Sequence, residues 1–125
     1  MRYILSLDQG TTSCRAFIFD QSAKVVASAQ CEFTQSYPRP GWVEHSATEI
    51  FDKQYQVCKE ALNISGVKIE DVAALGITNQ RETLVVWDRN TSEPIAPAIV
   101  WQCRRTTSLC REWKKRGWEK EIQEK

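Results

Sequence analysis

The chain has 125 residues, 17 basic against 16 acidic, and 42% of them hydrophobic. That length suits one domain with a core of its own, and the even charge balance argues against a partner chosen by bulk charge, such as a nucleic acid or a membrane surface. No stretch approaches the roughly 20 apolar residues of a membrane span, and the opening MRYILSLDQG meets Asp8 too early for a signal peptide, with no small-residue cleavage site behind it.

RYILSLD (2–8) alternates polar and apolar residues and predicts a strand. CRAFIFD (14–20) is a second, with Phe17 and Phe19 on one face, and VVASAQCEF (25–33) a third beyond the turn DQSAK. Their short connections predict an antiparallel meander. In TQSYPRPGWVEH (34–45), Pro38, Pro40 and Gly41 break any regular element, so a loop is expected. Ser46 followed by Glu49 is a capping-box arrangement, and Ile50, Gln54, Val57, Ala61 and Leu62 make one helical face to about residue 63. Gly66 stands where a helix-ending left-handed residue is often needed.

VAALGIT (72–78) is apolar throughout, as in a strand covered on both faces. TLVVWD (83–88) predicts another strand, RNTSEP a turn, and IAPAIVW (95–101) an extended piece that Pro97 makes an edge or irregular. A helix is expected over 104–117, with Leu109 and Trp113 on one face and Gly117 as its stop, and the tail 118–125 is expected to be helical as well. The order β-β-β-α-β-β-β-α implies an α/β layer fold with a mixed sheet. Such sheets bind ligands beyond the carboxyl ends of their strands. If the first and fourth strands are parallel neighbours, the segments 8–15 and 79–82 share one rim.

The five cysteines, Cys14, Cys31, Cys58, Cys103 and Cys110, form no C-x-x-C pair; without a secretion signal they suit free thiols in a reducing cytosol. His45 is the single histidine and has no second ligand near it in sequence, so no zinc site is expected. The basic and aromatic residues of WKKRGW (113–118) are a candidate contact for nucleic acid, but read more simply as a solvated helix end.

Two segments carry candidate chemistry. In DQGTTSCR (8–15), Gly10 permits a positive φ that would turn successive amides into one concavity, beside the hydroxyls of Thr11, Thr12 and Ser13. Arg15 can donate to phosphate oxygens, and Asp8 would tolerate a phosphate only across a cation, which makes it a candidate Mg²⁺ ligand. The same composition also describes an ordinary hairpin turn, and there is no Walker A loop. In NQRE (79–82), Arg81 donates and Glu82 accepts, which suits a polyol hydroxyl that does both, and an indole such as Trp101 can cover the C–H face. Alone, that pair reads more simply as a surface ion pair, with Trp87 and Trp101 as core residues.

Together the segments LDQGTTSCRAFIFD, YPRPGWVEH, GITNQRET and AIVWQCRRT, in this order from about Tyr3 onward, resemble the carbohydrate kinases. GITNQRET and WQCRR point within them to the glycerol kinases. The resemblance implies a ribonuclease H-like mixed sheet, part of domain I of the ATPase fold shared with actin, hexokinase and the heat-shock ATPases. It also implies transfer of the γ-phosphoryl of Mg-ATP to a terminal hydroxyl of glycerol, giving glycerol 3-phosphate, in the cytoplasm. By the same resemblance, Gly10, Thr11, Thr12, Ser13 and Arg15 match the phosphate loop, with Thr11 also near the product phosphate. Asp8 matches the acid at the metal, Arg81 and Glu82 the glycerol pair, and Trp101 the indole on its carbons. Cys14 stands where such kinases often have another small residue.

Kinases of this kind are much longer. Their substrate-binding tyrosine, their aspartate general base and their adenosine-holding domain fall outside these 125 residues. No general base can be named, and the chain by itself is expected to be inactive. The alternative is a non-catalytic kinase half, serving as a binding module or a remnant, whose exposed interdomain surface drives self-association or homo-oligomer formation.

Overall fold

The computed structural model describes residues 2–124. A four-stranded mixed sheet in the order β3-β2-β1-β5 carries the fold. The three strands β1 (Tyr3–Gln9), β2 (Ser13–Phe19) and β3 (Val25–Glu32) form the expected antiparallel meander. The connection from β2 to β3 is tightened by Asp20, whose carboxylate accepts from the amides of Ser22 and Lys24.

Helix α1 (Ala47–Ser65) crosses over and returns the chain to β5 (Val72–Thr78). Its sequence signals work at both ends. Ser46 Oγ accepts from the Glu49 amide at 3.1 Å, and Gly66 closes the helix at φ 65°. Only half of the capping box forms. The Glu49 carboxylate accepts from the Thr34 amide and hydroxyl instead, tying the helix start to the chain leaving β3.

The face of α1 formed by Ile50, Val57 and Ala61 packs on Leu5, Cys14, Ala16, Ile18, Ala29 and Phe33. This core follows the period-2 alternation of the strands and the helical spacing of α1. Gln54 interrupts the apolar face but donates to the Arg15 carbonyl at 2.9 Å. Burial pushes the Cys14 thiol up to about 11, with Cys31 and Asp8 adding to the effect. All five cysteines are free, and Cys14 is a small core residue that stays protonated at neutral pH.

Three expectations change. First, β5 is not covered: its burial stops after Val72, and Leu75 and Ile77 are 55% and 66% exposed. The reason is geometric, since α1 lies over β2 and β3, and β5 pairs only along its β1 side. Second, TLVVWD does not form a strand. It makes isolated bridges, Leu84 to Ile99 and Trp87 to Pro94, in a loose hairpin that turns on Asp88. Third, the proline-rich loop is less irregular than its composition suggests. Ser36 bridges to Glu44, and a second two-stranded sheet joins β4 (Glu44–His45) to β6 (Ala98–Ile99), just beyond Pro97.

Toward the end of the chain, α2 (Thr107–Lys115) starts three residues later than expected, and α3 (Trp118–Gln123) follows a left-handed Gly117. The last residue of the expected helical tail, Lys125, lies outside the described residues. Two of the three cations of the WKKRGW segment meet acids or rings: Lys114 pairs with Glu119, Arg116 with Glu112, and Arg116 also lies over Trp118. No helix among the described residues is long and apolar enough to cross a membrane.

Candidate functional site

Parallel pairing of β1 with β5 puts their carboxyl ends side by side, with Asp8 opposite Thr78. The loops that leave these two ends therefore share a rim, as expected if the strands were neighbours. Between them lies an open cleft of about 400 Å³, lined by Asp8, Gln9, Gly10, Thr11, Asn79, Gln80, Arg81, Glu82 and Trp101. A larger depression of about 530 Å³ between Ser36, Glu44 and the 93–97 segment contains none of these residues.

Trp101 follows β6 by only two residues, and the segment that carries it is held by the Val100 amide on the Val43 carbonyl at 3.3 Å. Its indole reaches across the cleft. Nε1–H donates to Thr11 Oγ1 at 3.2 Å, and the ring remains half exposed. Trp101 is thus a wall rather than a core residue, and Trp87, 60% exposed, is not in the core either. Because Thr11 Oγ1 accepts from the indole, its own O–H is left to donate elsewhere.

Arg81 and Glu82 sit in a turn directly after β5, both exposed, with Glu82 at φ 50°. They do not pair with each other, and neither side chain is bonded among the described residues. The surface ion pair is therefore ruled out in this conformation, and two opposite charges face one cleft unsatisfied.

The front loop differs from its expected form. Gly10 is not in the left-handed region, where the glycines are Gly41, Gly66 and Gly117. Its requirement is close approach: its amide donates to the Ser13 carbonyl at 2.9 Å, and a Cβ would lie 2.9 Å from that same oxygen. The Gly10 amide is therefore committed to the turn and does not face the cleft. Thr12, Ser13 and Arg15 do not line the cleft either. Ser13 is buried, with its hydroxyl accepting from Gln30, and the Thr12 carbonyl accepts from the Phe33 amide. Arg15 lies opposite Asp8 in the β1–β2 register; its guanidinium pairs with that carboxylate at 3.4 Å and donates to Gln30.

One further group near the cleft has a place that its sequence context does not show. His45 is 1% exposed, edge-on to Phe33, with Nε2 2.6 Å from Gln35 Oε1 and Nδ1 3.4 Å from Gln80 Nε2. In the sequence His45 reads only as a metal ligand lacking a second ligand, because its polar partners Gln35 and Gln80 lie far from it along the chain. No cluster of three or more potential metal-binding side chains exists among the described residues.

Burial holds the His45 ring below its ordinary value near 6.5, and the contact with Gln80 and then the Glu49 carboxylate pull the other way without prevailing. The folded chain then binds the ring proton less readily than the unfolded chain. Stability from the neutral ring is complete above about pH 6.5 and is lost as the pH falls through the lower folded value. Denaturation midpoints measured across this window are expected to drop more steeply on acidification in the natural chain than in His45→Gln. Parallel curves would contradict this.

Similarity to known proteins bears on the family and the fold. Residues 3–125 match the N-terminal domain of the FGGY family of carbohydrate kinases. The chain is 56% identical over its whole length to glycerol kinase 2 of Thermotoga maritima, and 57% identical over 99% of its length to the glycerol kinase of Caldanaerobacter subterraneus; in each case it spans 25% of the relative. The Plasmodium falciparum glycerol kinase solved with ADP superposes with a TM-score of 0.81 at 36% identity, over 90% of this chain and 23% of that one. A ligand-bound xylulose kinase from Lactobacillus acidophilus shares the fold at TM-score 0.90 and 23% identity, over all of this chain and 25% of that one. The chain spans about a quarter of the length of the relatives it matches, and it belongs to the FGGY family of carbohydrate kinases.

Proposed function

We propose that this chain supplies the phosphate- and polyol-facing wall of a glycerol kinase, an enzyme that phosphorylates glycerol with ATP. The observation that carries the reading is the convergence of unpaired Arg81 and Glu82 with the Trp101 indole on the cleft that also holds Thr11. A glycerol hydroxyl can accept from the guanidinium and donate to the carboxylate, while the indole covers the C–H face. The Thr11 hydroxyl, oriented by Trp101, is then placed to donate to a phosphate oxygen. The relatives from Thermotoga maritima and Caldanaerobacter subterraneus are glycerol kinases, and the Plasmodium relative was solved with ADP, which supports a nucleotide as the second ligand.

Of the two carboxylates on the cleft, Glu82 faces the polyol in this reading and Asp8 stands at the end of β1 beside Thr11. One carboxylate with open space beside it fits Mg²⁺, which keeps several waters and is held by one or two acids plus substrate phosphates. When bound, the ion neutralises phosphate charge. Arg15 holds the Asp8 carboxylate in place from the neighbouring strand. Thr12, Ser13 and Arg15 act in this reading through the shape of the loop and the hold on Asp8. Phosphoryl transfer of this type depends on positioning and charge neutralisation more than on protein nucleophiles.

The 125 residues are one wall of a two-walled cleft, and no residue on the cleft is placed as a general base. Purified chain incubated with Mg-ATP and glycerol is expected to form no glycerol 3-phosphate above the uncatalysed background; sustained turnover would contradict this. The exposed apolar residues of β5 favour a second reading, in which that face associates with another copy of the chain. Sedimentation is expected to show concentration-dependent association that weakens in Ile77→Lys; a strict monomer at all concentrations would remove that reading. A cytoplasmic location fits the five free thiols.

A further inference from the structure

The two loops of the cleft are joined by a run of side chains, the buried His45 between the half-buried Gln80 and Gln35. The Gln35 amide nitrogen contacts two backbone carbonyls, Thr11 at 3.2 Å and Phe33 at 3.4 Å. Carbonyls only accept, so the NH₂ of Gln35 must face them and its Oε1 must face His45. The short 2.6 Å contact then requires the proton on His45 Nε2. That leaves Nδ1 as a lone pair, which can only accept from the Gln80 NH₂ at 3.4 Å. Gln80 Oε1 in turn accepts from the Thr83 hydroxyl at 3.3 Å. From the His45 ring to the Thr11 carbonyl each donor and acceptor has one direction, while the Thr83 hydroxyl is shared between Gln80 Oε1 and the Arg81 carbonyl at 3.4 Å.

We propose that His45 is a positioning residue of the cleft: as a neutral ring with its proton on Nε2, it holds the turn carrying Arg81 and Glu82 in register with the loop carrying Thr11. The side chains of Arg81 and Glu82 make no bonds of their own among the described residues, so the placement of their turn falls to Gln80 and Thr83 on either side of them. His45 does not line the cleft. It comes from β4, which is paired to β6, the strand leading to Trp101, so the same short ladder sets both the ring and the indole. The role depends on the polyol reading only for the identity of the ligand.

The test compares the natural chain with His45→Gln, His45→Leu and Gln35→Leu. Glutamine offers one donor and one acceptor spaced much as the two ring nitrogens are, whereas leucine fills volume without either. Gln35→Leu breaks the relay at its far end and lines no part of the cleft, so it keeps the test valid if His45→Leu does not fold. Nitrogen NMR of the ring is expected to show the neutral Nε2–H form, and ¹⁵N relaxation to show the 79–83 amides as rigid as those of β5. In the leucine variants these amides are expected to loosen, and glycerol affinity to fall about tenfold, as for loss of a buried polar partnership. His45→Gln is expected to restore both.

Equal rigidity of 79–83 in all four proteins, or a His45→Gln as defective as His45→Leu, would overturn the role. If the natural chain binds no glycerol while the relaxation pattern holds, the polyol reading fails and the positioning role stands. If glycerol binds equally well to all four, the positioning role fails and the polyol reading stands.

Discussion

In Arg81→Ala, glycerol affinity is expected to fall by at least about tenfold with the folding transition unchanged, since hydrogen bonds to a charged partner exceed neutral ones. The two halves of this expectation have separate causes. Arg81 is exposed and its side chain bonds nothing among the described residues, so its removal costs the fold little. The loss instead falls on the ligand, because a hydroxyl on Glu82 and Trp101 would then lack its charged donor. Calorimetric or NMR titration gives the affinity, and thermal unfolding gives the control. Affinity preserved in Arg81→Ala would place the polyol elsewhere.

Gly10→Ala is expected to destabilise the chain by about 1–3 kcal/mol, the usual cost of forcing atoms into a filled site. The added Cβ would stand 2.9 Å from the Ser13 carbonyl, a backbone oxygen that already accepts from the Gly10 amide. That oxygen cannot move aside as a flexible side chain would, so the turn between β1 and β2 must open. Opening it moves Thr11 away from the Trp101 indole 3.2 Å away, so ligand protection against unfolding should weaken along with stability. Denaturant unfolding with and without Mg-ATP and glycerol measures both. A Gly10→Ala chain as stable as the natural one would show that the turn is looser than its geometry implies.

The meander, the crossover helix and the shared rim were legible because each depends on local rules. Alternation in RYILSLD and CRAFIFD gives β1 and β2, and Ser46 and Gly66 bound α1 nearly to the residue. What was missed depends on partners distant in sequence. The apolar run of β5 reads as doubly buried, yet burial is a property of what packs on a strand, and nothing among the described residues covers Leu75 or Ile77. TLVVWD has strand composition but finds only single bridges, because its partner segment is interrupted by Pro94 and Pro97.

The site was legible in kind and not in detail. Residue types identified Asp8, Thr11, Arg81, Glu82 and Trp101, which the fold does bring to one cleft. Composition could not show that Ser13 turns inward to Gln30, that Arg15 is taken up by Asp8, or that Gly10 is needed for crowding rather than for a positive φ. The Gln35–His45–Gln80 relay was least legible of all, since it joins the two ends of the 34–45 segment to the distant 79–82 segment and none of its members is unusual alone.

The central claim is that glycerol occupies the cleft between the 8–13 and 79–83 loops. Titrating the ¹⁵N-labelled chain with glycerol tests it most directly. The predicted result is a saturable shift of the Thr11, Gln80, Arg81 and Glu82 amides and of the Trp101 indole N–H, lost in Arg81→Ala. Shifts scattered over the surface and unchanged in Arg81→Ala, or no saturable shift at these groups, would contradict it.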